Sequence, residues 1–299
     1  MKIIITGASG FVGQNLSKYL EKQNNCILSI SLRSIDWQYK FDSSSKAIIH
    51  LAGKAHDTSN VADPQSYFEI NTELTKQVFD LFVESDIQDF IYFSSVKAAA
   101  DVVDNILYEN VVPNPTTPYG QSKLAAEQYI LSKIGTLGKR VIIIRPCMIH
   151  GPGNKGNLNL LYKIVSKGVP WPLGAFENQR SFLSIDNLNF LVHQILENKN
   201  IASGIYNFAD DNPISTNELI AIINQSLGKK SRILNLSKSL IIKAAALGDV
   251  FKLPLNSEKL KKLTENYVVS NQKIKSALQI NSLPSSVKDG LMQTLLSFR

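Results

Sequence analysis

The stretch Lys2-Ile3-Ile4-Ile5-Thr6-Gly7-Ala8-Ser9-Gly10-Phe11-Val12-Gly13 decides the fold of this chain. Its β-branched run is typical of a central strand of a parallel sheet, buried on both faces. Three glycines then recur at every third position, and residues 14–22 have helical composition. A strand, a glycine turn and a helix in this order predict the first unit of a doubly wound α/β sheet, the Rossmann arrangement.

The glycine turn is also a candidate site for a pyrophosphate. Glycines let the backbone turn sharply and approach a phosphate closely, and the N-terminus of the next helix offers N–H groups and a positive dipole end. Because turns also use glycine for purely conformational reasons, it is the position directly after the first strand that favours cofactor binding. We expect dinucleotide contacts from Gly7, Ser9, Gly10, Phe11, Val12 and Gly13.

The end of the second predicted strand, residues 26–32, bears on the choice of dinucleotide. A carboxylate at this place would bind the ribose hydroxyls of NAD, but the strand ends in Ser31-Leu32-Arg33-Ser34. The Arg33 guanidinium suits a ribose 2'-phosphate, so the sequence favours NADP(H) over NAD(H). In the alternative interpretation, Arg33 is a solvated loop residue and Asp36 reaches back to the ribose.

The third unit of the sheet is expected to be contracted. Residues 37–41 could form a strand, but only five residues separate them from the clear strand at 47–51. A parallel crossover needs about a dozen residues. We therefore predict that the crossover helix is missing and that any strand here is short or displaced.

The strand at 47–51 is followed by the small residues Ala52-Gly53, and we expect Leu51, Ala52 and Gly53 to border the ribose on the nicotinamide side. Within this strand, His50 is predicted to be a buried histidine rather than a catalytic one. Asn71, on the helix predicted over residues 64–85, either bonds to backbone or is a surface amide.

Acid/base chemistry is predicted where the strand at residues 90–93 ends in Ser94-Ser95, because open parallel sheets place ligands at the carboxyl ends of their strands. Downstream, Tyr119 and Lys123 are four residues apart and share one helix face. A free phenol, with a pKa of about 10, is a poor base. A nearby ammonium and a positive nicotinamide ring would favour its phenolate, and Ser95 could bind the same substrate oxygen.

These motifs together resemble the extended short-chain dehydrogenase/reductase family, in its NAD-dependent epimerase/dehydratase branch of nucleotide-sugar enzymes. The resemblance covers nearly the whole chain and includes Arg145-Pro146, residues 150–153 and residues 180–186. It implies a catalytic triad of Ser95, Tyr119 and Lys123, and cofactor contacts at Ser94, Tyr119, Lys123 and Pro146. It also implies that Asn157 and Arg180 contact the nucleotide diphosphate of the substrate, as a guanidinium fork can. A surface ion pair of Arg180 with Asp186 or Glu177 is the alternative.

The resemblance also bears on the reaction. Dehydratases of the family carry an Asp-Glu pair after the serine or threonine, whereas this chain has Val96 and Lys97, so dehydration is not expected. Residues 153–157 and 172–181 resemble UDP-2-acetamido-4-keto-2,6-dideoxy-hexose 4-reductases of surface-polysaccharide synthesis, a group close to UDP-glucose 4-epimerase-like proteins. The missing ribose carboxylate favours a reductase that consumes NADPH. The alternatives are a UDP-hexose or UDP-N-acetylhexosamine 4-epimerase and, in another class, a non-catalytic NADP-binding sensor protein, which would not need the triad.

The domain organisation follows from these assignments. Residues 1–150 are expected to form the dinucleotide-binding domain, to which 181–203 return, while 151–180 and 204–299 form a smaller C-terminal α/β substrate lobe. The resemblance implies a homodimer formed through the helices at 64–85 and 122–133.

Composition excludes several classes of protein. The 299 residues are 44% hydrophobic and 19% charged, as in ordinary globular enzymes. The net charge is +7, but the lysines look scattered and lack interleaved aromatic residues, so we expect no nucleic-acid partner. Cys26, Cys147 and four unclustered histidines predict neither a disulfide framework nor a metal site. No signal peptide precedes the first strand, which predicts a cytoplasmic protein.

Residues 236–253 are apolar with interleaved lysines, too short and too charged to span a bilayer. We predict a core or lid helix of the substrate lobe; contact with a membrane surface is the less favoured interpretation. Residues 215–218 form a capping box that opens a helix continuing to residue 227.

Overall fold

The centre of the molecule is a six-stranded parallel sheet, seen in a computed structural model that describes residues 1–54, 63–135, 138–154, 156–251 and 255–299. Its strands follow the order β2-β1-β3-β4-β6-β9. Two further pairs of short parallel strands, β5 with β10 and β7 with β8, lie outside it. The strands are β1 Lys2–Thr6, β2 Cys26–Ile30, β3 Ala47–His50, β4 Asp89–Phe93, β5 Ile106–Leu107, β6 Arg140–Pro146, β7 Met148–His150, β8 Phe182–Ser184, β9 Gly204–Phe208 and β10 Val268–Val269.

Helices cover both faces of the sheet and form most of the second lobe. They are α1 Phe11–Lys22, α2 Pro64–Phe68, α3 Leu74–Glu84, α4 Pro118–Ile134, α5 Asn157–Ser166, α6 Ile185–Glu197, α7 Thr216–Ser226, α8 Lys238–Phe251, α9 Ser257–Thr264, α10 Gln272–Leu278 and α11 Val287–Leu296. A π-helical turn, Glu69–Glu73, joins α2 to α3. In the described ranges, none of these helices is long and apolar enough to cross a membrane.

The topology confirms the predicted doubly wound fold. The chain runs from β1 outward to β2, then returns to the other side of β1 to form β3 and β4. The direction of winding therefore reverses at β1, and the carboxyl ends of β1 and β3 border the crevice where such sheets bind ligands.

The expected contraction of the third unit is also confirmed. Between β2 and β3 the chain forms a 3-10 turn, Trp37–Lys40, and no strand pairs with the outer edge of β2 among the described residues. The buried indole of Trp37 belongs to the same core cluster as Ile4, Ile30 and Phe82. The indole thus fills part of the space that a crossover helix would otherwise occupy.

The boundary of the substrate lobe differs from the prediction at β9. Gly204–Phe208, assigned to that lobe from sequence, pairs with β6 from Ile142↔Gly204 to Pro146↔Phe208 and is the sixth strand of the central sheet. Just before it, α6 packs against α1. The lobe itself has a separate core formed by α5, α7 and α11, whose members include Leu158, Ile223 and Leu291.

Candidate functional site

The turn between β1 and α1 packs so closely on neighbouring backbone that side chains would not fit at two of its positions. Gly7 has a φ of +74°, and a Cβ built on it would lie 2.6 Å from the Ala52 amide nitrogen. A Cβ on Gly13 would lie 2.3 Å from the Gly7 carbonyl oxygen. Gly10 is the N-cap of α1, and no side chain caps its first turn. The turn can therefore receive a pyrophosphate on backbone N–H groups, which fits a dinucleotide cofactor.

A cavity of about 330 Å³ opens at the carboxyl edge of the sheet beside this turn. It brings together residues that are distant in sequence: Gly7, Gly10, Phe11, Val12, Gly13, Leu51, Gly53, Lys54, Phe93, Ser94, Ser95, Tyr119, Lys123, Pro146, Cys147 and Ile149. Among the predicted site residues, Ser9, Arg33, Ala52, Asn157 and Arg180 lie outside this lining. A larger and more open depression, of about 680 Å³, lies near Tyr108, Leu131 and Ile205 and contains none of the predicted site residues.

The loop after β2 presents cations and one paired carboxylate. Asp36 accepts hydrogen bonds from the hydroxyl of Ser34 and forms an ion pair with Lys40 at 3.1 Å. The hydrogen bond from Ser34, together with Lys40, lowers the pKa of Asp36. Arg33 is exposed and forms no ion pair within the described part of the chain. The carboxylate that could have bound an NAD ribose is thus already engaged.

The start of α4 positions the predicted tyrosine. Thr117 is the N-cap and accepts a hydrogen bond from the Gly120 amide at 3.2 Å. Asp101 accepts hydrogen bonds from the amides of Thr116 and Thr117, at 2.6 and 3.2 Å. Although burial opposes it, these bonds lower the pKa of the Asp101 carboxyl. The first turn of α4 is therefore held by a charged group, and Tyr119 projects from it into the cavity.

Tyr119 and Ser95 meet across the cavity. Ser95 is the second residue after the end of β4, and its hydroxyl is hydrogen-bonded with the Tyr119 phenol. Burial raises the pKa of Tyr119, an effect that the hydrogen bond with Ser95 opposes. The surrounding protein therefore favours the protonated form of the Tyr119 phenol, which can donate a proton.

Lys123 is held one turn further along α4, with its ammonium buried. Its Nζ donates to the Phe93 carbonyl at 2.9 Å and lies 5.0 Å from the ring centre of Tyr92. A Cβ on Gly53 would lie 3.1 Å from this Nζ, so the loop after β3 covers it closely. Burial lowers the pKa of Lys123 to about 8, and the negative charge of Glu127 opposes this shift.

A buried ion pair lies next to Lys123 on α4, and the sequence did not reveal it. Arg145 donates to Glu127 through Nε at 2.9 Å and through Nη2 at 2.5 Å, and both side chains are at most 1% exposed. The Ser94 hydroxyl also donates to Glu127. The signal available in the sequence was the spacing, since Glu127 follows Lys123 by four residues and must share its helix face. This pair connects α4 to β6 and to the end of β4.

The π-helical turn places Asn71 at the loop after β3. Its Oδ1 accepts from the Lys54 amide at 2.7 Å, while Nδ2 donates to the Lys54 carbonyl and to the Ser122 hydroxyl, each at 3.1 Å. Asn71 is fully buried, so of the two interpretations the backbone bond is correct. His50 is likewise buried between the hydroxyls of Thr6 and Thr75, and burial lowers its pKa to about 3.

The predicted substrate residues lie in the second lobe. Asn157 is exposed at the first position of α5. Arg180 is partly buried, pairs through its backbone with Ile214 and Tyr267, and donates to the Lys262 carbonyl. The Lys97 ammonium lies 4.2 Å from the Tyr267 ring centre, and burial lowers its pKa. Lys97 therefore places a second cation near Arg180. From the sequence, Lys97 served only as an argument against dehydration.

The chain is similar to known proteins over most of its length. A model of the NAD dependent epimerase/dehydratase family matches residues 3–209. The UDP-glucose 4-epimerase of Vibrio cholerae is 29% identical over 250 residues, or 76% of this chain and 76% of that protein. An N-acetyl-alpha-D-glucosaminyl-diphospho-ditrans,octacis-undecaprenol 4-epimerase of Escherichia coli O157:H7 is 27% identical and covers 98% of this chain and 94% of that protein. The GDP-6-deoxy-D-mannose reductase of Pseudomonas aeruginosa is 27% identical over 74% of this chain and 79% of that protein.

The fold is shared with solved structures as well. The structure of RMD from Pseudomonas aeruginosa complexed with NADPH superposes with a TM-score of 0.76. The two chains are 22% identical, and the match covers 99% of this chain and 98% of that one.

Proposed function

This chain belongs to the NAD dependent epimerase/dehydratase family, its relatives include a UDP-glucose 4-epimerase and a GDP-6-deoxy-D-mannose reductase, and we propose that it is an NADPH-dependent reductase of a 4-keto nucleotide sugar. It is therefore an enzyme rather than a non-catalytic sensor. The observation that supports the proposal is the loop after β2, where Asp36 is paired with Lys40 while Arg33 stays free for a 2'-phosphate. A cofactor of the NADP type suits a reaction that consumes a reduced nicotinamide.

The glycine turn supports binding of the dinucleotide at this place. Gly7 and Gly13 pack against backbone where no side chain would fit, and this close turn leads directly into the start of α1, which no side chain caps. When bound, the cofactor supplies a hydride to the C4 carbon of the sugar. The chain's own residues would supply the proton, orient the substrate oxygen and bind the diphosphate.

Tyr119 is proposed to donate a proton to the C4 oxygen. Its raised pKa keeps the phenol protonated near neutral pH, as a reduction requires. The Ser95 hydroxyl, hydrogen-bonded with Tyr119, can bind the same substrate oxygen and orient it. Lys123, partly charged with a pKa of about 8, stabilises the phenolate left after proton transfer and lies where the nicotinamide ribose would bind.

The second lobe is proposed to bind the diphosphate of the substrate. Arg180 offers a guanidinium fork, and Lys97 lies close enough for the two cations to interact electrostatically. Two cations held near each other by the protein repel, and a diphosphate between them removes that repulsion. Lys97 donates to the Asp101 carbonyl at 2.8 Å, and while it carries its proton it cannot serve as the base of a dehydratase.

The test is cofactor consumption. Purified protein is mixed with a UDP-2-acetamido-4-keto-2,6-dideoxy-hexose and either NADPH or NADH, and nicotinamide absorbance is followed. Stoichiometric loss with a preference for NADPH supports the proposal, and the Arg33→Ala variant should lose that preference without losing the reaction. Lys18→Ala, at a position on the neighbouring helix α1, is the matched control for removal of a cation.

A 4-epimerase is the second candidate, favoured by the Vibrio and Escherichia relatives, both of which are named as 4-epimerases. An epimerase regenerates its cofactor in each turnover, so nicotinamide absorbance would not fall. Conversion of a UDP-hexose or UDP-N-acetylhexosamine into its C4 epimer, with the absorbance unchanged, would replace the reductase proposal.

A further inference from the structure

Helix α8 in the second lobe has apolar side chains that the rest of the described chain leaves exposed. Ile241, Ala245 and Gly248 turn inward and are buried against the lobe. The outward side chains are more than half exposed: Leu240 58%, Ile242 53%, Leu247 56%, Val250 73% and Phe251 69%. We define these five residues as the α8 face. Isolated exposed leucines are ordinary, but five large apolar side chains exposed on one helix of 14 residues are typical of an interaction surface.

The charges on and beside the α8 face are almost all positive. Lys243 lies among the exposed apolar side chains. The acidic residue of the helix, Asp249, is engaged by Ser257, whose amide and hydroxyl donate to it at 3.0 and 2.5 Å. The α8 face therefore combines exposed aliphatic and aromatic side chains with the positive charge of Lys243.

The excess positive charge of the protein is concentrated in this part of the chain. Residues 229–262 contain nine Lys and Arg and two Asp and Glu, a net charge of +7 that equals the net charge of all 299 residues. The remainder of the chain is neutral on balance. The lysines and arginines are scattered along the whole chain, but outside residues 229–262 an equal number of acidic residues balances them. The expectation of evenly distributed charge is therefore wrong.

We infer that the α8 face and the surrounding basic residues form a docking surface for an anionic phospholipid bilayer. Aliphatic side chains on an interfacial helix insert at the level of the acyl boundary, and lysines extend to the headgroups. A concentration of lysines near a helix adds electrostatic attraction to anionic lipid. This inference does not depend on which nucleotide-sugar reaction the cleft performs.

Charge argues against other occupants of this surface. A second copy of this chain docked on the same face would bring together two basic segments, residues 229–262 of each copy, which is repulsive. A nucleic acid would need stacking aromatic groups, and Phe251 is the single aromatic residue of the α8 face. An anionic bilayer satisfies both the hydrocarbon and the cations.

The docking surface lies beside the predicted substrate residues. Helix α9 packs against α8 and carries Lys259, Lys261 and Lys262, and the Lys262 carbonyl accepts a hydrogen bond from Arg180. Docking through α8 would therefore hold the Arg180 side of the second lobe close to the membrane surface.

The experiment is vesicle co-sedimentation of the full-length protein. Vesicles of phosphatidylcholine with phosphatidylglycerol are compared with vesicles of phosphatidylcholine alone, at low and high salt. The test variant is L247S/V250S/F251S, and K243Q/K261Q is the charge variant. Val112→Ser, which removes an 85% exposed apolar side chain elsewhere, is the matched control. Far-ultraviolet circular dichroism and NADPH binding check that each variant is folded.

We expect binding to the anionic vesicles that weakens with salt and is at least about tenfold weaker in the apolar and the charge variants, but not in Val112→Ser. Equal binding to both kinds of vesicle, binding unaffected by the triple substitution, or no binding by the folded protein would each overturn the inference. A concentration-dependent dimer that is lost in the triple variant, without vesicle binding, would assign the face to a second copy instead.

Discussion

Removal of the charge on Glu127 should destabilise the protein strongly. The carboxylate is fully buried and accepts two hydrogen bonds from Arg145, which is itself 1% exposed. Glu127→Gln keeps the size of the side chain but leaves the guanidinium buried without its counter-charge. Breaking a buried pair in this way costs about 3–5 kcal/mol. For a chain of 299 residues, each kcal/mol lowers Tm by about 1.6 °C, so Tm should fall by roughly 5–8 °C.

The same substitution should change the pH dependence of catalysis. The negative charge of Glu127 favours the charged form of Lys123 and opposes the effect of burial, which lowers the pKa of Lys123 to about 8. Without that charge the neutral amine is favoured, so the pKa falls further. The alkaline limb of kcat/KM should therefore move to lower pH in Glu127→Gln.

The assay combines thermal unfolding with a pH profile, and Asp80→Asn is the matched control. Asp80 forms an ion pair with Lys133 of the same helix α4, but these side chains are 43% and 37% exposed. An exposed pair contributes about 1 kcal/mol or less, so Asp80→Asn should change Tm little and leave the pH profile unchanged. Equal Tm values for the two variants, with the alkaline limb of Glu127→Gln unmoved, would refute the reasoning.

Three further predictions concern the cleft. Tyr119→Phe should lower turnover by about 10²–10⁴-fold while NADPH binding, measured by fluorescence titration, is kept; retention of most of the turnover would show that another group donates the proton. Gly13→Ala should weaken dinucleotide binding, because its Cβ would lie 2.3 Å from the Gly7 carbonyl, and Gly135→Ala, where a Cβ meets nothing within 4 Å, is the control. The Asp101 carboxyl has a lowered pKa in the folded protein, so its stabilisation is present above the unfolded pKa of about 3.9 and is lost as pH falls below it. The difference in unfolding free energy between the wild type and Asp101→Asn should therefore shrink below about pH 4, and a difference independent of pH would contradict this.

The sequence predicted the first sheet unit well because its signals are local. A strand, a glycine turn and a helix follow one another within 22 residues, and the φ of +74° at Gly7 is a conformation that glycine adopts without strain. Tyr119 and Lys123 were predictable as a pair for the same reason, since helix geometry fixes their relation.

The parts that sequence did not reveal depend on distant partners. Residues 204–208 were assigned to the substrate lobe, and only pairing with β6, some sixty residues earlier, places them in the central sheet. Glu127 has the appearance of a solvated helix residue until Arg145, eighteen residues later, is seen to neutralise it. The π-helical turn that buries Asn71 has no sequence signal of its own, because it arises from packing against Ser122 and the loop after β3.

The proposal of 4-keto reduction is tested most directly by tracing the hydride. The protein is incubated with the keto sugar and NADPH that carries deuterium at the transferred position of the nicotinamide, and the sugar product is analysed by mass spectrometry and NMR. Reduction predicts one deuterium per product molecule, at C4, with equal loss of NADPH. A C4-epimerised product without deuterium, and with the cofactor unconsumed, would contradict it.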